Sequence, residues 1–549
     1  MKTGERSANR LPSRVVAALA VGPIAGLAVF YFWPSATLLV RVINGSAVAD
    51  TLSRGATWGV AWFTLWQAVV STAITMLVGF APAYIVARFE FPGRQLLVGV
   101  LTAVFVLPTV VMGAAFLALL PDSLDQTVWA VIAAHVVFNL AVMIRTVGAF
   151  WEHLPIDMES AAATLGASRW RVFVDISLPL LRPSLSAAGA IIFLFTFTSF
   201  GVIRILGSAG TRTLEIEVWR RATQLGDISG AAVLSVLQLA VLAVVVGWST
   251  RAQRRHARAV DLRPEQDRRR AKSPGERRFV ALIAIGTAAL CIAPLAAMAI
   301  RSFRSSSGWS TAAWTTLGKA EVRPGIRLGL DPVEALVNSI QNAAWATSFA
   351  VALGAVASLA IAAAGRGGRL LDVGLMLPIG TSAVTIGFGM LITFDTPPVD
   401  WRAEWWLVPI GHALVALPFV VRTTVGVLRS VDPSLQDAAA TLGASPTRAW
   451  WDVVVPFLWR PLAVGAALAA AISLGEFGAT SFLSRSGGET LPIAIDELVG
   501  RTGSLLQAQG YALATILAVA TVSLVVGVSR FHDVTGLAHR RAGGQTVDR

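Results

Sequence analysis

Charge is scarce in this chain. Only 14% of its 549 residues are Asp, Glu, Lys or Arg, against roughly 25% in a soluble domain. So little polar surface excludes a protein that meets water on all sides. Cysteine is nearly absent. Cys291 is the single one, which rules out an intramolecular disulfide. Lysine is almost as rare, with Lys2, Lys272 and Lys319 alone. A phosphate-binding P-loop needs Gly-Lys-Ser/Thr. Lys272-Ser273 follows Ala271 and neither other lysine fits, so the chain lacks that nucleotide site. No His-Glu-x-x-His motif occurs either, which weakens an intramembrane protease reading.

What is present is apolar. Hydrophobic residues make up 55% of the chain, and runs of about 18 or more recur, each long enough to cross a bilayer as a helix. The fold class is an all-α polytopic membrane protein with about twelve spans. The first six are expected near 15–33, 60–87, 96–120, 128–150, 185–206 and 229–249. The second six are expected near 279–300, 337–364, 370–394, 405–428, 462–483 and 509–528. The net charge is +13, but the basic residues flank the spans instead of lining one face, so lipid is the expected surface partner and nucleic acid is not. Lys2, Arg6, Arg10 and Arg14 precede the first apolar run, which reads as a retained span, with a cleaved signal peptide as the minor alternative.

The same basic residues set the orientation. Arg88 and Arg94 fall inside, as do Arg169, Arg171 and Arg182. The stretch 250–278, with Arg251, Arg254, Arg255, Arg258, Arg263, Arg268, Arg269, Arg270, Lys272, Arg277 and Arg278, is the strongest inside signal. Arg530, Arg540 and Arg541 put the C-terminus on the same side. The loop 301–336 belongs outside despite Arg301, Arg304, Lys319, Arg323 and Arg327, being long enough to weaken the rule. The short loop holding Asp122 and Asp125 is outside as well. Trp58, Trp62 and Trp66, and again Trp401, Trp405 and Trp406, read as interfacial belts.

One octet occurs twice. Ala161-Ala162-Ala163-Thr164-Leu165-Gly166-Ala167-Ser168 recurs unchanged from Ala438 to Ser445, an offset of 438 − 161 = 277. The same offset aligns His135 with His412, Arg145 with Arg422, Pro179 with Pro456, Phe200-Gly201 with Phe477-Gly478 and Thr213-Leu214 with Thr490-Leu491. Such self-similarity marks a duplicated unit. Six spans per unit is an even number, so the two repeats run parallel. The expected organisation is a permease-sized domain at 1–249, a flexible basic linker at 250–278, a second domain at 279–530 and a tail at 531–549.

The repeated octet sits in a long loop on the inner side. In the second copy Asp432-Pro433 reads as the N-cap and first residue of a helix. Gly443 reads as its stop, and Ser445 as the cap of a second short helix. The first copy matches, with a helix from about Met158 to Leu165, Gly166 as the stop and Ser168 as the next cap. Alanines leave each helix short and flat, fit for the groove of another protein. A hairpin that only tethers spans four and five would not need an identical octet twice.

This pattern resembles the EAA loop of binding-protein-dependent ABC importer permeases. Copy one reads Glu159-Ser160-Ala161-Ala162-Ala163-Thr164-Leu165-Gly166, with Leu178-Pro179 beyond; copy two reads Gln436-Asp437-Ala438-Ala439-Ala440-Thr441-Leu442-Gly443, with Val455-Pro456 beyond. The resemblance implies a type I importer permease fold and a coupling role for Glu159, Ala161, Ala162, Gly166, Asp437, Ala438, Ala439 and Gly443. It also implies two ATP-binding cassette subunits that bind the nucleotide, an extracytoplasmic solute-binding protein, and residence in a bacterial cytoplasmic membrane. The chain itself would then need no cofactor and would be no enzyme. The family's acidic residue stands six before the glycine. Asp437 occupies that place in copy two, whereas copy one has Ser160 there and Glu159 one place earlier, which makes the two docking sites unequal.

Glu476 is an ionisable residue within a predicted span, and such a residue is functional or hydrogen-bonded inside the bundle. Its repeat mate is Ser199, so the pair is a candidate pathway or gate. His135 and His412 read as packing residues and not as metal ligands. Asn338, Gln341 and Asn342 read as polar contacts between helices. The fused layout, with Leu474-Gly475-Glu476-Phe477-Gly478-Ala479-Thr480 and Thr490-Leu491-Pro492, resembles thiamine and ferric-iron permeases, and Phe197-Thr198-Ser199-Phe200-Gly201 with Thr213-Leu214-Glu215 leans toward thiamine. The competing class is a twelve-span secondary transporter driven by an ion gradient, which has no need of two capped loops.

Overall fold

The computed structural model describes residues 13–43, 46–154, 156–208, 210–256, 268–306, 308–318, 321–323, 326–327, 329–364, 368–396 and 399–544. Lys2, Arg6, Arg10, Arg258, Arg263 and Lys319 lie outside the described residues. Among the described residues, nine helices are long and apolar enough to cross a membrane, or up to twelve crossings if each of three bent pairs is one span. The nine are Arg14–Ile43, Gly55–Arg88, Val128–Glu152, Trp170–Phe197, Ile228–Trp248, Pro274–Arg301, Pro332–Ala363, Leu407–Ser430 and Ser504–Gly527. Several begin on side-chain caps: Thr127 accepts from Ala130 N–H, Ser273 from Glu276 N–H and Asp331 from Val333 N–H. Pro274 and Pro332 take first helical positions, where a missing N–H costs nothing.

Two of the expected spans are sharply bent. The 96–120 span is Arg94–Val106 followed by Thr109–Leu119, bent by 109°. Proline has no N–H to donate and pushes the residue before it out of the helical region. Leu107 and Pro108 are accordingly extended, with ψ of 139° and 141°. The 370–394 span is Gly368–Gly380 followed by Ala383–Thr393, bent by 99°, and Ser382 caps the second piece through Val384 N–H. The 185–206 span is also divided: one helix ends at Phe197 and a short one covers Gly201–Leu206. Gly201 permits the close approach there. A Cβ on it would collide with Thr109 Oγ1 and stand 3.0 Å from Val110 N, at the elbow of the bent pair.

The chain forms two compact units that do not coincide with the linear halves 1–249 and 279–530. One gathers the first helix with Leu317–Ala494 and the last helix from Ile516; the other gathers Ser46–Thr316 with Ile495–Thr515. The first span of each half has thus changed sides. Leu27 and Tyr31 are buried among Ile361, Leu375, Phe394 and Leu417, and Tyr31 Oη bonds Thr381 Oγ1 at 2.6 Å. The Pro274–Arg301 helix packs on Gly55–Arg88 and on both arms of the first bent pair.

The second unit's remaining core joins Ala83, Met143, Val147, Trp151, Leu181 and Ile192. Of the linker expected to be flexible over 250–278, residues 250–256 continue the helix Ile228–His256, residues 268–278 are ordered too, and 257–267 lie outside the described residues. Arg269–Arg270 pairs in parallel with Phe89–Glu90, and the Arg269 guanidinium lies 4.3 Å from the Phe89 ring centre. A helix runs from Ser504 to Gly544, so residues 531–544, expected as a tail, continue the last helix beyond the span Ser504–Gly527. Of the tryptophans expected in interfacial belts, Trp58, Trp62 and Trp405 are exposed and Trp66 is half-buried. Trp401 and Trp406 instead meet edge-on, at 5.3 Å between ring centres, and both meet Phe30, within one core.

Candidate coupling site

Both repeated loops fold as helix–turn–helix, and their details coincide. The first holds Ile156–Thr164 and Arg169–Val172; the second holds Pro433–Thr441 and Pro446–Ala449. Asp432 Oδ1 accepts from Ser434 N–H at 2.9 Å and opens the second loop helix. Backbone and side-chain bonds to Ser434 hold the Asp432 carboxyl below its usual range. Each helix ends in the same double bond. Ala167 N–H reaches Ala162 O and Gly166 N–H reaches Ala163 O, both at 3.0 Å; Ala444 and Gly443 do the same to Ala439 and Ala440, also at 3.0 Å. This closure needs a left-handed residue after the helix, and Gly166 and Gly443 supply it at φ 84° and 87°. Ser168 and Ser445 then cap the next turns through Arg171 and Arg448 N–H, each at 3.3 Å.

The outer face of each loop carries an apolar stripe that the alanine pattern had hidden. Met158, Ala161, Ala162 and Leu165 stand at positions i, i+3, i+4 and i+7, as do Leu435, Ala438, Ala439 and Leu442. That spacing is one face of a helix. Leu165 and Leu442 are each 89% exposed, and Met158 and Leu435 are 48% and 45% exposed. Leucines that open to solvent, in the same place twice, are unexplained by packing within the chain.

The inner face ties each loop to the bundle. Phe173 and Trp450 are repeat mates, 450 − 173 = 277, and each opens a widened π turn. Phe173 meets Phe80 at 5.6 Å between ring centres. Trp450 is buried with Leu359, Leu428, Val454 and Leu458. Glu159 faces inward as well. Its Oε1 accepts from Arg88 Nη2 at 3.0 Å and from Ser177 Oγ at 2.9 Å. Position 159 is therefore a clamp to the end of the Gly55–Arg88 helix. Asp437 lies on the exposed face.

Ser199 and Glu476 fall at equivalent breaks in the fifth span of each repeat, and both are buried. Glu476 Oε1 accepts from Ala479 N–H at 2.7 Å, capping the turn into Thr480–Leu483. The paired histidines reach these breaks. His135 Nε2 bonds Ser199 Oγ at 2.8 Å. His412 bonds Ser473 Oγ at 2.8 Å through Nδ1 and Thr480 Oγ1 at 2.7 Å through Nε2. Thr480 Oγ1 donates onward to Glu476 O at 2.9 Å. A neutral imidazole protonated on Nε2 satisfies that whole chain. Among the described residues no group of three or more His, Cys, Asp or Glu could hold a metal. Asn338 bonds the carbonyls of Gly487 and Glu489, each at 3.1 Å.

Comparison with known proteins agrees with this geometry. The family described as "Binding-protein-dependent transport system inner membrane component" matches residues 77–259 and again 350–532. Each match contains one of the capped loops. The chain is 24% identical to the thiamine transport system permease protein ThiP of Salmonella typhimurium over 473 residues, which is 81% of this chain and 84% of that protein. It is similar to the Escherichia coli protein of the same description, at the same identity and coverage. Against that of Brucella abortus it is 26% identical over 504 residues, 86% of this chain and 87% of the relative. A duplicated family domain, a multi-pass helical fold and relatives that are permease subunits leave the ion-driven alternative unfavoured. The chain belongs to the binding-protein-dependent transport system inner membrane components, as a fused two-repeat permease of an ABC importer and not an enzyme.

Proposed function

We propose that this permease carries thiamine, with ferric iron as the next candidate, and that two ATP-binding cassette subunits drive it, one at each capped loop. The observation that carries the coupling reading is the repeated apolar stripe ending in Leu165 and Leu442. A groove on each ATPase would cover it, as grooves cover amphipathic helices elsewhere. ATP would bind only on those partners. The loops, both termini and the basic linker would lie in the cytoplasm, and a solute-binding protein would dock at the other end of the bundle.

Closing of the ATPase pair would pull the loops together. Phe173 and Trp450 would pass that movement to the spans, and the Arg88–Glu159 pair would stiffen the first lever. The breaks at Ser199 and Glu476, hinged on His135 and His412, would serve as gate or pathway. Full-chain material co-expressed with its ATPase tests the scheme by native mass measurement in detergent, where two ATPases per permease are expected. Competition for labelled thiamine uptake by ferric chelates tests the cargo. A lone permease that accumulates solute on a proton or sodium gradient overturns the reading.

A further inference from the structure

Arg204 is held in an unusual place. Its guanidinium carbon lies 4.2 Å from the centre of the Trp219 ring, and its Nε donates to Asp496 Oδ2 at 2.9 Å. Trp219 closes the short helix Leu214–Trp219, and Asp496 lies in Leu491–Val499. These two residues are repeat mates, since 496 − 219 = 277. One repeat supplies an indole face and the other a carboxylate, and a single cation sits against both. The mate of Arg204 is Ser481, so the second repeat sends no guanidinium of its own to that position. Phe200 backs the indole edge-on at 6.3 Å. The cluster is not sealed: the Arg204 side chain keeps 31% of its exposure and Asp496 keeps 14%.

An aromatic face beside a partly buried carboxylate is a receptor for a planar or quaternary organic cation. We propose that Trp219 and Asp496 form a transient binding site for a positively charged organic cargo, and that Arg204 fills this site when cargo is absent. The carboxylate balances one positive charge, so cargo entry expels the guanidinium and its return expels the cargo. No unpaired charge is left behind in either state, which avoids the large cost of a buried lone carboxylate. The inference deepens the cargo reading above and rests on it, thiamine being a thiazolium cation.

Equilibrium binding to the purified full chain in detergent tests this, with labelled thiamine and labelled tetraethylammonium as probes. Arg204→Gln is expected to tighten binding of a cationic probe about tenfold or more, a gain that misfolding cannot produce. Adding Asp496→Asn to that variant is expected to abolish the gain. Adding Trp219→Leu is expected to weaken binding roughly three- to thirtyfold. If Arg204→Gln binds neither probe more tightly than wild type, or if Asp496→Asn leaves the gain intact, the proposal is overturned. A gain for tetraethylammonium without one for thiamine upholds the site and removes thiamine as cargo. The ATPase requirement is read separately, by co-purification, so failure of the importer scheme leaves a different trace.

Discussion

Gly166 and Gly443 occupy a backbone region that costs a side-chain-bearing residue about 1–2 kcal/mol. Nothing stands within 4 Å of a Cβ built on either. A valine there strains the turn without meeting a neighbour. The double variant Gly166→Val with Gly443→Val is therefore expected to stay folded, to keep ATP hydrolysis by the assembled complex and to lose at least tenfold in uptake. Unchanged uptake would reject the coupling role. Leu165→Ser with Leu442→Ser removes the tips of both stripes. Each tip lost from an interface centre is worth on the order of 1 kcal/mol or more, so ATPase retention in a pull-down is expected to fall several-fold.

Asp432 adds a pH dependence. Its folded carboxyl titrates below the usual value because Ser434 bonds it. A group depressed in this way contributes fully above the unfolded pKa and loses its contribution as pH falls through the folded one. Protease resistance of the second loop is expected to drop in acid for wild type and to stay level for Asp432→Asn, since asparagine caps without titrating.

At the scale of elements, the loops were readable because their punctuation is local. An aspartate before proline, a glycine after a helix and a serine after the turn each act within four residues, and each acts as expected at Asp432, Gly443 and Ser445. The bent spans were not readable from hydropathy. An apolar window stays apolar whether Leu107–Pro108 continues a helix or turns it through 109°, although Pro108 itself was a signal. The exchange of first helices was hidden for a different reason. Lipid-facing and helix-facing apolar side chains look alike in a membrane, so Leu27 and Tyr31 do not name the partners that bury them. The stripe from Met158 to Leu165 is visible as a helical period, but two of its four positions are alanines, which also suit a buried face. Removing residues 14–43 is expected to loosen Pro332–Ala363 and Leu407–Ser430 while sparing Gly55–Arg88 and Val128–Glu152. Hydrogen exchange resolved by peptide can check this, and equal loosening of both groups would contradict the described contacts.

For the whole molecule, duplication within one polypeptide makes the two loops separable by mutation. Breaking one stripe, by Leu165→Ser or by Leu442→Ser, is expected to leave one ATPase bound and to abolish most uptake, because a single engaged partner has nothing to close against. Stoichiometry by mass and uptake by labelled solute would then part company. Uptake at half the wild-type rate would mean that the loops work independently.

The exchanged first helix also has a consequence for synthesis. Residues 14–43 leave the ribosome 332 − 43 = 289 residues before the helix Pro332–Ala363 begins. At roughly 5–20 residues per second, the newborn segment waits on the order of 15–60 s without the neighbours that finally bury it. Its apolar flank must be content in oil for that interval and still recognise its late-arriving neighbours afterwards.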